Sequence, residues 1–337
     1  MRPAETYFKY LYYLMHYGSF KKARNYILNN IEKKLKKVYL KSLPVNITIE
    51  PCNSCNLSCP GCVTGVNCAG LIPSGMLTLD QFKYIFAQIK DYVFNISLYK
   101  WGEPFLNKDI FLIIGHATLN GCGTTIHTNF NIFDEFMAEQ AVMRKLTHIY
   151  LSIDGATQET YEKYRRGGNL ARVLKNIEIL INTKKKLKSK FPILTWKYLY
   201  FPHNVHEIES AKLMAKRLGV DAFEAFPANL DNVSTFGTGR IYDLASGTVT
   251  TVTAHSCDSL WNSLIIYPDG SLLPCCQAFR TKDVFGNIYN QPLRTIWNND
   301  DFLTLRKTIK TRKISQGVRY PCRECEVIKK LQEVFSK

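Results

Sequence analysis

The sequence predicts an α/β chain in which six strand–helix units form an open or partial barrel, with a small cysteine-bearing module after it. Three observations lead there. Short apolar runs alternate with stretches of helical periodicity between residues 45 and 226, and repeated strand–helix units give a parallel sheet with helices outside. The 337 residues are 46% hydrophobic, enough for a large core and one or two domains. The cysteines are grouped, with a close triplet at Cys55, Cys59 and Cys62 and a second set beyond Cys257.

The elements follow in order. Residues 4–41 read as helix, bent at Gly18 and Ser19, with Tyr26, Ile27, Ile31, Leu35 and Val38 at helical spacing among lysines. That stripe is expected to pack on the barrel with the lysines solvated; the same pattern also suits a basic amphipathic helix in a membrane interface. Strands are expected at 45–50, 95–99, 123–129, 148–154, 193–201 and 222–226. Helices are expected at 78–93, 109–119, 134–145, 169–187 and 206–218. Residues 227–254 are rich in Gly, Thr, Ser, Asn and Asp and read as a linker or substrate-side loop. The expected division is a basic helical segment at 1–44, a barrel at 45–226, the linker at 227–254 and a module at 255–330.

Residues 51–62, PCNSCNLSCPGC, follow the first strand and carry C-x3-C-x2-C. Three thiolates bind three corners of a 4Fe-4S cube and leave one iron open; a structural zinc site is the alternative. Trp101-Gly102-Glu103-Pro104 follows the second strand, Thr128 and Asn129 end the third, and Ser152 and Asp154 end the fourth, before Tyr161, Tyr164 and Arg165. The strand ends of a parallel barrel are where catalytic groups collect. Together these motifs resemble the radical SAM superfamily, with Trp101 and Phe130 standing where its GGEP and TNG patterns have glycine, and Gly61 where many members have an aromatic residue. The resemblance implies a partial (β/α)6 radical SAM barrel whose triplet holds a 4Fe-4S cluster that binds and splits S-adenosylmethionine (SAM). It implies SAM contacts from Gly102, Glu103, Pro104, Thr128, Asn129, Ser152 and Asp154, with Arg165 or Arg166 pairing with the SAM carboxylate.

The second cysteine set is Cys257, Cys275, Cys276, Cys322 and Cys325. Pro268-Asp269-Gly270 between two apolar runs is a hairpin signal. The set resembles the SPASM/twitch extension. This implies one auxiliary 4Fe-4S cluster on Cys257, Cys275, Cys322 and Cys325, with Cys276 the alternative to Cys275 and zinc the alternative metal. A fully ligated cluster has no open iron, so its implied task is electron acceptance and the implied net reaction is an oxidation. Cys52, Cys68 and Cys122 have no partner pattern and are expected to pack in the core.

Charge and composition bound the partners. The net charge of +16 favours anionic partners, and residues 1–41 hold ten Lys and Arg against Glu5 and Glu32. No export signal and no apolar run of about 18–20 residues is present, so the expectation is a cytoplasmic chain, with peripheral contact to anionic membrane through the basic segment. The expected substrate is a polar small molecule, glycan or lipid-linked molecule, and the expected electron donor a reduced flavodoxin or ferredoxin-like protein. The rival readings are a peptide-modifying maturase, for which the 44 residues before the first strand are short of a leader-binding module, and a non-catalytic iron–sulfur or zinc protein on nucleic acid. Nucleic acid is not the expected partner, because a binding module has no use for the Gly-Glu-Pro and Ser-x-Asp positions.

Overall fold

The structure, a computed structural model, describes residues 13, 15–65, 75–228, 239–242, 249–252, 257–275, 278–311, 313 and 318. Six strands pair in parallel and in chain order: β1 (Asn46–Ile49), β2 (Asn95–Ser97), β3 (Gly123–Thr128), β4 (His148–Ser152), β5 (Ile193–Tyr200) and β6 (Ala222–Pro227). Alternation along each strand divides its side chains between two faces. One set, including Ile47, Ile96, Ile126, Ile149, Leu151 and Trp196, is buried in the main core. The other set is polar and aromatic. Tyr99, His127 and Tyr150 stack in sequence at 3.7 and 4.4 Å, and Lys197 lies over the Phe226 ring. The sheet therefore has a helix-covered apolar face and a polar face.

The helices are α1 (Phe20–Lys34), α2 (Leu79–Ile89), α3 (Ile110–Leu119), α4 (Glu135–Met143), α5 (Gln158–Tyr164), α6 (Leu170–Lys186) and α7 (Ile208–Leu218). Their starts are capped as the sequence allows. Thr78 and Gln81 form a reciprocal capping box on α2, and Asp134, Thr157 and Asn169 cap α4, α5 and α6. Gly219 ends α7 in the left-handed conformation. The short α5 was not expected from periodicity.

The C-terminal module continues the same sheet. After α8 (Ser259–Asn262), β9 (Ser263–Ile266) pairs in parallel with β1 on its free edge, from Asn46 opposite Ser263 to Ile49 opposite Ile266. The Pro-Asp-Gly turn then reverses the chain, with Gly270 at φ +83° and Asp269 accepting from Ser271. β10 (Ser271–Leu273) and β11 (Gly286–Asn287) extend the sheet antiparallel to nine strands, and α9 (Leu293–Ile296) and α10 (Asp300–Thr311) follow. Within the stretch expected to be loop, β7 (Gly239–Tyr242) and β8 (Val249–Val252) form an antiparallel pair. The β-branched Val-Thr-Thr-Val run was the signal for it.

The N-terminal helix reverses one expectation. It breaks at Gly18 as anticipated, and Ser19 caps α1. It ends at Lys34, with Lys36 at φ +46°, and does not run to residue 41. The buried face is polar: Lys22, Asn25, Asn29 and Glu32. Lys22 donates to the Gly121 carbonyl, Asn25 to those of Leu43 and Tyr92, and Asn29 to that of Trp261, while Glu32 accepts from the Lys41 and Ser42 backbone. Gly121, Leu43, Tyr92 and Trp261 all precede strands, so α1 crosses the floor of the barrel at the N-terminal strand ends. Of the expected stripe, Tyr26 packs edge-on against Phe94, but Ile27, Ile31 and Leu35 face outward. Among the described residues, no helix is long and apolar enough to cross a membrane.

Candidate active site

At the opposite end, beyond the C-terminal strand ends, the loop after β1 meets the turn after β2. Glu50, one residue past β1, is fully buried, and one of its oxygens accepts from the Trp101 and Gly102 N–H groups at 2.7 and 2.8 Å. Its other oxygen, Oε2, meets no donor among the described residues. Burial pushes its carboxyl up to about 7 against the pull of those two N–H bonds. Gly102 is held so close to the cysteine loop that a Cβ there would sit 1.8 Å from the Cys52 carbonyl oxygen. Glu103 N donates to the Ser54 carbonyl at 2.8 Å. Gly61, at φ +74°, turns the loop between Cys59 and Cys62.

Glu103 does not present a free carboxylate. One oxygen accepts from Thr128 Oγ1 at 2.7 Å and from Phe105 N, and the other accepts from Asn129 N at 2.9 Å. Burial raises this carboxyl too, to about 7. Glu103 thus braces the end of β3 against the Gly-Glu-Pro turn, which continues as a single 3-10 turn begun by Pro104. Phe130 takes φ +57°, the left-handed conformation for which glycine is the usual residue. Its buried ring stacks 4.2 Å from Phe133, and its carbonyl accepts from Asn176.

Asp154 sits behind the wall of the cavity. Its oxygens accept from Leu199 N at 2.6 Å and from Arg165 Nε at 2.5 Å, and it is fully buried. Asp154 was expected to face SAM; it holds Arg165 instead. Arg165 lies 5.1 Å from the Tyr164 ring centre and points Nη1 at Cys59 Sγ, 3.9 Å away. Burial works to lower its pKa, but Asp154 and Cys59 more than offset this and hold it well above the usual value. Arg166 is exposed, and only its backbone carbonyl reaches the cysteine loop, accepting from Ser58 N.

Cys55, Cys59 and Cys62 line one cavity of about 210 Å³ together with Gly102, Glu103, Thr128, Asn129, Ser152 and Arg165. Of the expected contacts, Pro104 and Asp154 are outside the lining. Tyr99, Lys100, His127 and Tyr164 are in it and were not anticipated; Tyr99 and His127 stand just ahead of the two turn motifs, which was the available signal. The donor set fits an iron–sulfur cube. Three soft thiols share a wall, and Leu57 N, Asn129 Nδ2 and Arg165 Nη1 point at their sulfurs. Burial pushes Cys55 up to about 11 and raises Cys59, and neighbouring thiolates add to both; cationic irons reverse that sign. Among the described residues no three His, Cys, Asp or Glu side chains converge on a point that would hold a single ion.

Cys257 is partly buried against the main core. Cys275 packs on a small cluster of Ile265, Tyr267, Leu273 and Ala278, against which Trp101 also packs. Of the second cysteine set, Cys275 thus shares a packing cluster with Trp101 of the turn that lines the cavity. Cys276, Cys322 and Cys325 lie outside the described residues, as does Cys68. Cys52 and Cys122 are buried core residues, as expected.

The profile of the radical SAM superfamily matches residues 49–197, and that of the iron-sulfur cluster-binding domain called SPASM matches residues 257–326. The chain belongs to the radical SAM superfamily. Its cofactors are accordingly SAM and 4Fe-4S clusters. The AdoMet-dependent heme synthase of Methanosarcina barkeri is 28% identical over 56% of this radical SAM chain, a match that spans 52% of the relative. The S-adenosyl-L-methionine-dependent 2-deoxy-scyllo-inosamine dehydrogenase of Niallia circulans is 24% identical over 83% of the chain and 91% of the relative. Among solved structures, Streptococcus suis SuiB bound to S-adenosylmethionine superposes with a TM-score of 0.65 at 19% identity, over 88% of this chain and 74% of that one. The last likeness concerns the fold alone.

Proposed function

We propose that this radical SAM enzyme is an oxidoreductase that removes hydrogen from a polar small-molecule, glycan or lipid-linked substrate. The observation that carries the reading is the single cavity that joins the three thiols to Gly102, Ser152, Asn129 and Arg165. Cys55, Cys59 and Cys62 hold the SAM-binding cluster, and Cys257, Cys275, Cys322 and Cys325 hold one auxiliary cluster. When bound, SAM and the clusters supply a 5′-deoxyadenosyl radical and one-electron transfer. The protein supplies the positioning. Backbone carbonyls of the Trp101–Gly102 turn would hold the ammonium of SAM, Arg165 would hold its carboxylate, and Ser152 would hold its ribose or methionine. Glu103 and Asp154 act through the groups they brace.

The oxidative reading is supported by the similarity to a dehydrogenase across nearly its whole length. The polar substrate class is supported by Lys100 in the cavity wall and by the +16 charge. Residues 45–226 and 255–330 are the barrel and the cluster module, the electron donor is an acidic flavodoxin or ferredoxin-like protein, and the chain works in the cytoplasm. Anaerobically reconstituted protein is expected to carry about eight irons, and the Cys55, Cys59 and Cys62 triple alanine variant about four. With dithionite the parent should release 5′-deoxyadenosine from SAM. Zinc in place of iron in anaerobically purified protein sinks the proposal.

A further inference from the structure

We infer that the outer face of α1 docks the enzyme on an anionic lipid bilayer. The face is apolar where a surface helix should be polar. Phe20 is 82% exposed, Ile27 59%, Ile31 49%, Leu35 57% and, just past the helix, Tyr39 60%. Phe20, Ile27, Ile31 and Leu35 fall on one stripe at helical spacing, about 22 Å long at 1.5 Å per residue. The orientation is fixed from below. The polar side chains of the other face are committed to backbone groups at the barrel floor, so the helix cannot roll to bury its apolar stripe.

Charge selects the occupant. Between Phe20 and Tyr39 there are seven Lys and Arg, and the one acid, Glu32, is buried. Lys22 is buried and Lys21 and Lys36 pair with Asp91 and Asp258, while Arg24, Lys34 and Lys37 are exposed beside the stripe. An apolar stripe flanked by cations is the pattern of a helix lying at the headgroup level of an anionic membrane. A second copy of the chain is a poor occupant, because a two-fold contact would set this basic rim against itself. The face lies at the N-terminal strand ends, whereas the cavity opens at the C-terminal ends. Docking therefore leaves the SAM site open to water, and binding and catalysis are separable.

The test uses the full-length, cluster-loaded protein and sedimentation with vesicles of phosphatidylglycerol and phosphatidylcholine, or of phosphatidylcholine alone. The parent is expected to bind the anionic vesicles, less so as salt is added, and not the neutral ones. Ile27→Asn/Ile31→Asn, at positions that support no core, should lose at least about tenfold in partition while SAM cleavage is unchanged. Lys34→Gln/Lys37→Gln should weaken binding and flatten its salt dependence. No binding by the parent overturns the inference, as does equal partition of the Ile27→Asn/Ile31→Asn variant. A parent dimer that this variant dissociates, without vesicle binding, gives the face to a second copy and likewise overturns it.

Discussion

Replacing Asp154 by Asn is the sharpest probe of the cavity's construction. Asn keeps the shape and still accepts from Leu199 N. It removes the countercharge 2.5 Å from Arg165 Nε and points an amide donor at a guanidinium that has only donors. Both groups are withdrawn from water, Asp154 completely. Breaking such a pair from one side costs about 3–5 kcal/mol, because the remaining charge stays buried. The lower end applies here, since Cys59 Sγ and the Tyr164 ring still face Arg165. At roughly 2 °C per kcal/mol for a chain of this size, the melting midpoint should drop by about 6 °C. A displaced Arg165 should weaken SAM binding by about tenfold to a hundredfold, the worth of a charge-assisted hydrogen bond. Thermal unfolding under anaerobic conditions measures the first effect, and titration of the reduced cluster's paramagnetic signal with SAM measures the second. Arg165→Met in the Asp154→Asn background removes the unpaired charge. It should recover stability and leave SAM binding weak. If Asp154→Asn alone changes neither quantity, Cys59 and Tyr164 suffice to place Arg165, and the role assigned to Asp154 is wrong.

Two further outcomes test the supports around it. Burial raises the Glu50 and Glu103 carboxyls from 4.5 to about 7, so the folded state binds their protons more tightly than the unfolded state does. That contribution is complete below pH 4.5 and is lost as pH rises through about 7, at most about 3 kcal/mol per group. The urea midpoint of the cluster-free protein should therefore fall between about pH 5 and 7.5, less steeply in Glu50→Gln; a midpoint that rises over this range refutes it. Gly102→Ala must push the cysteine loop away from a contact of 1.8 Å, and its iron content should drop from about eight to about four. Gly61→Ala, with nothing within 4 Å of the added atom, should keep its iron at a cost of about 1 kcal/mol for the left-handed backbone. Full iron in Gly102→Ala would show that the loop accommodates the clash.

The strand–helix alternation and the cysteine triplet were legible because each is local: period, capping residues and spacing lie within a few residues. What escaped was decided by distant partners. Asp154 stands at a strand end, as a ligand-facing group would, and only the fold reveals Leu199 N and Arg165 waiting for it. Glu50 carries no motif, yet it fastens the turn that follows the next strand. The clearest case is α1. Its sequence has two stripes of equal regularity, one apolar through Ile27 and Ile31, the other polar through Lys22, Asn25, Asn29 and Glu32. Periodicity identifies both and does not say which faces inward; the hydrophobic rule alone chooses the wrong one. The choice falls to the floor of the barrel. There the carbonyls of Leu43, Tyr92, Gly121 and Trp261 and the N–H groups of Lys41 and Ser42 lie under the helix. Buried and unpaired, each would cost about 1–3 kcal/mol. The polar stripe satisfies six of them, which together matches or exceeds what burying two isoleucines and a leucine would give at about 1.5–3 kcal/mol each. The apolar stripe is left facing out because backbone groups far away in the sequence claimed the other side.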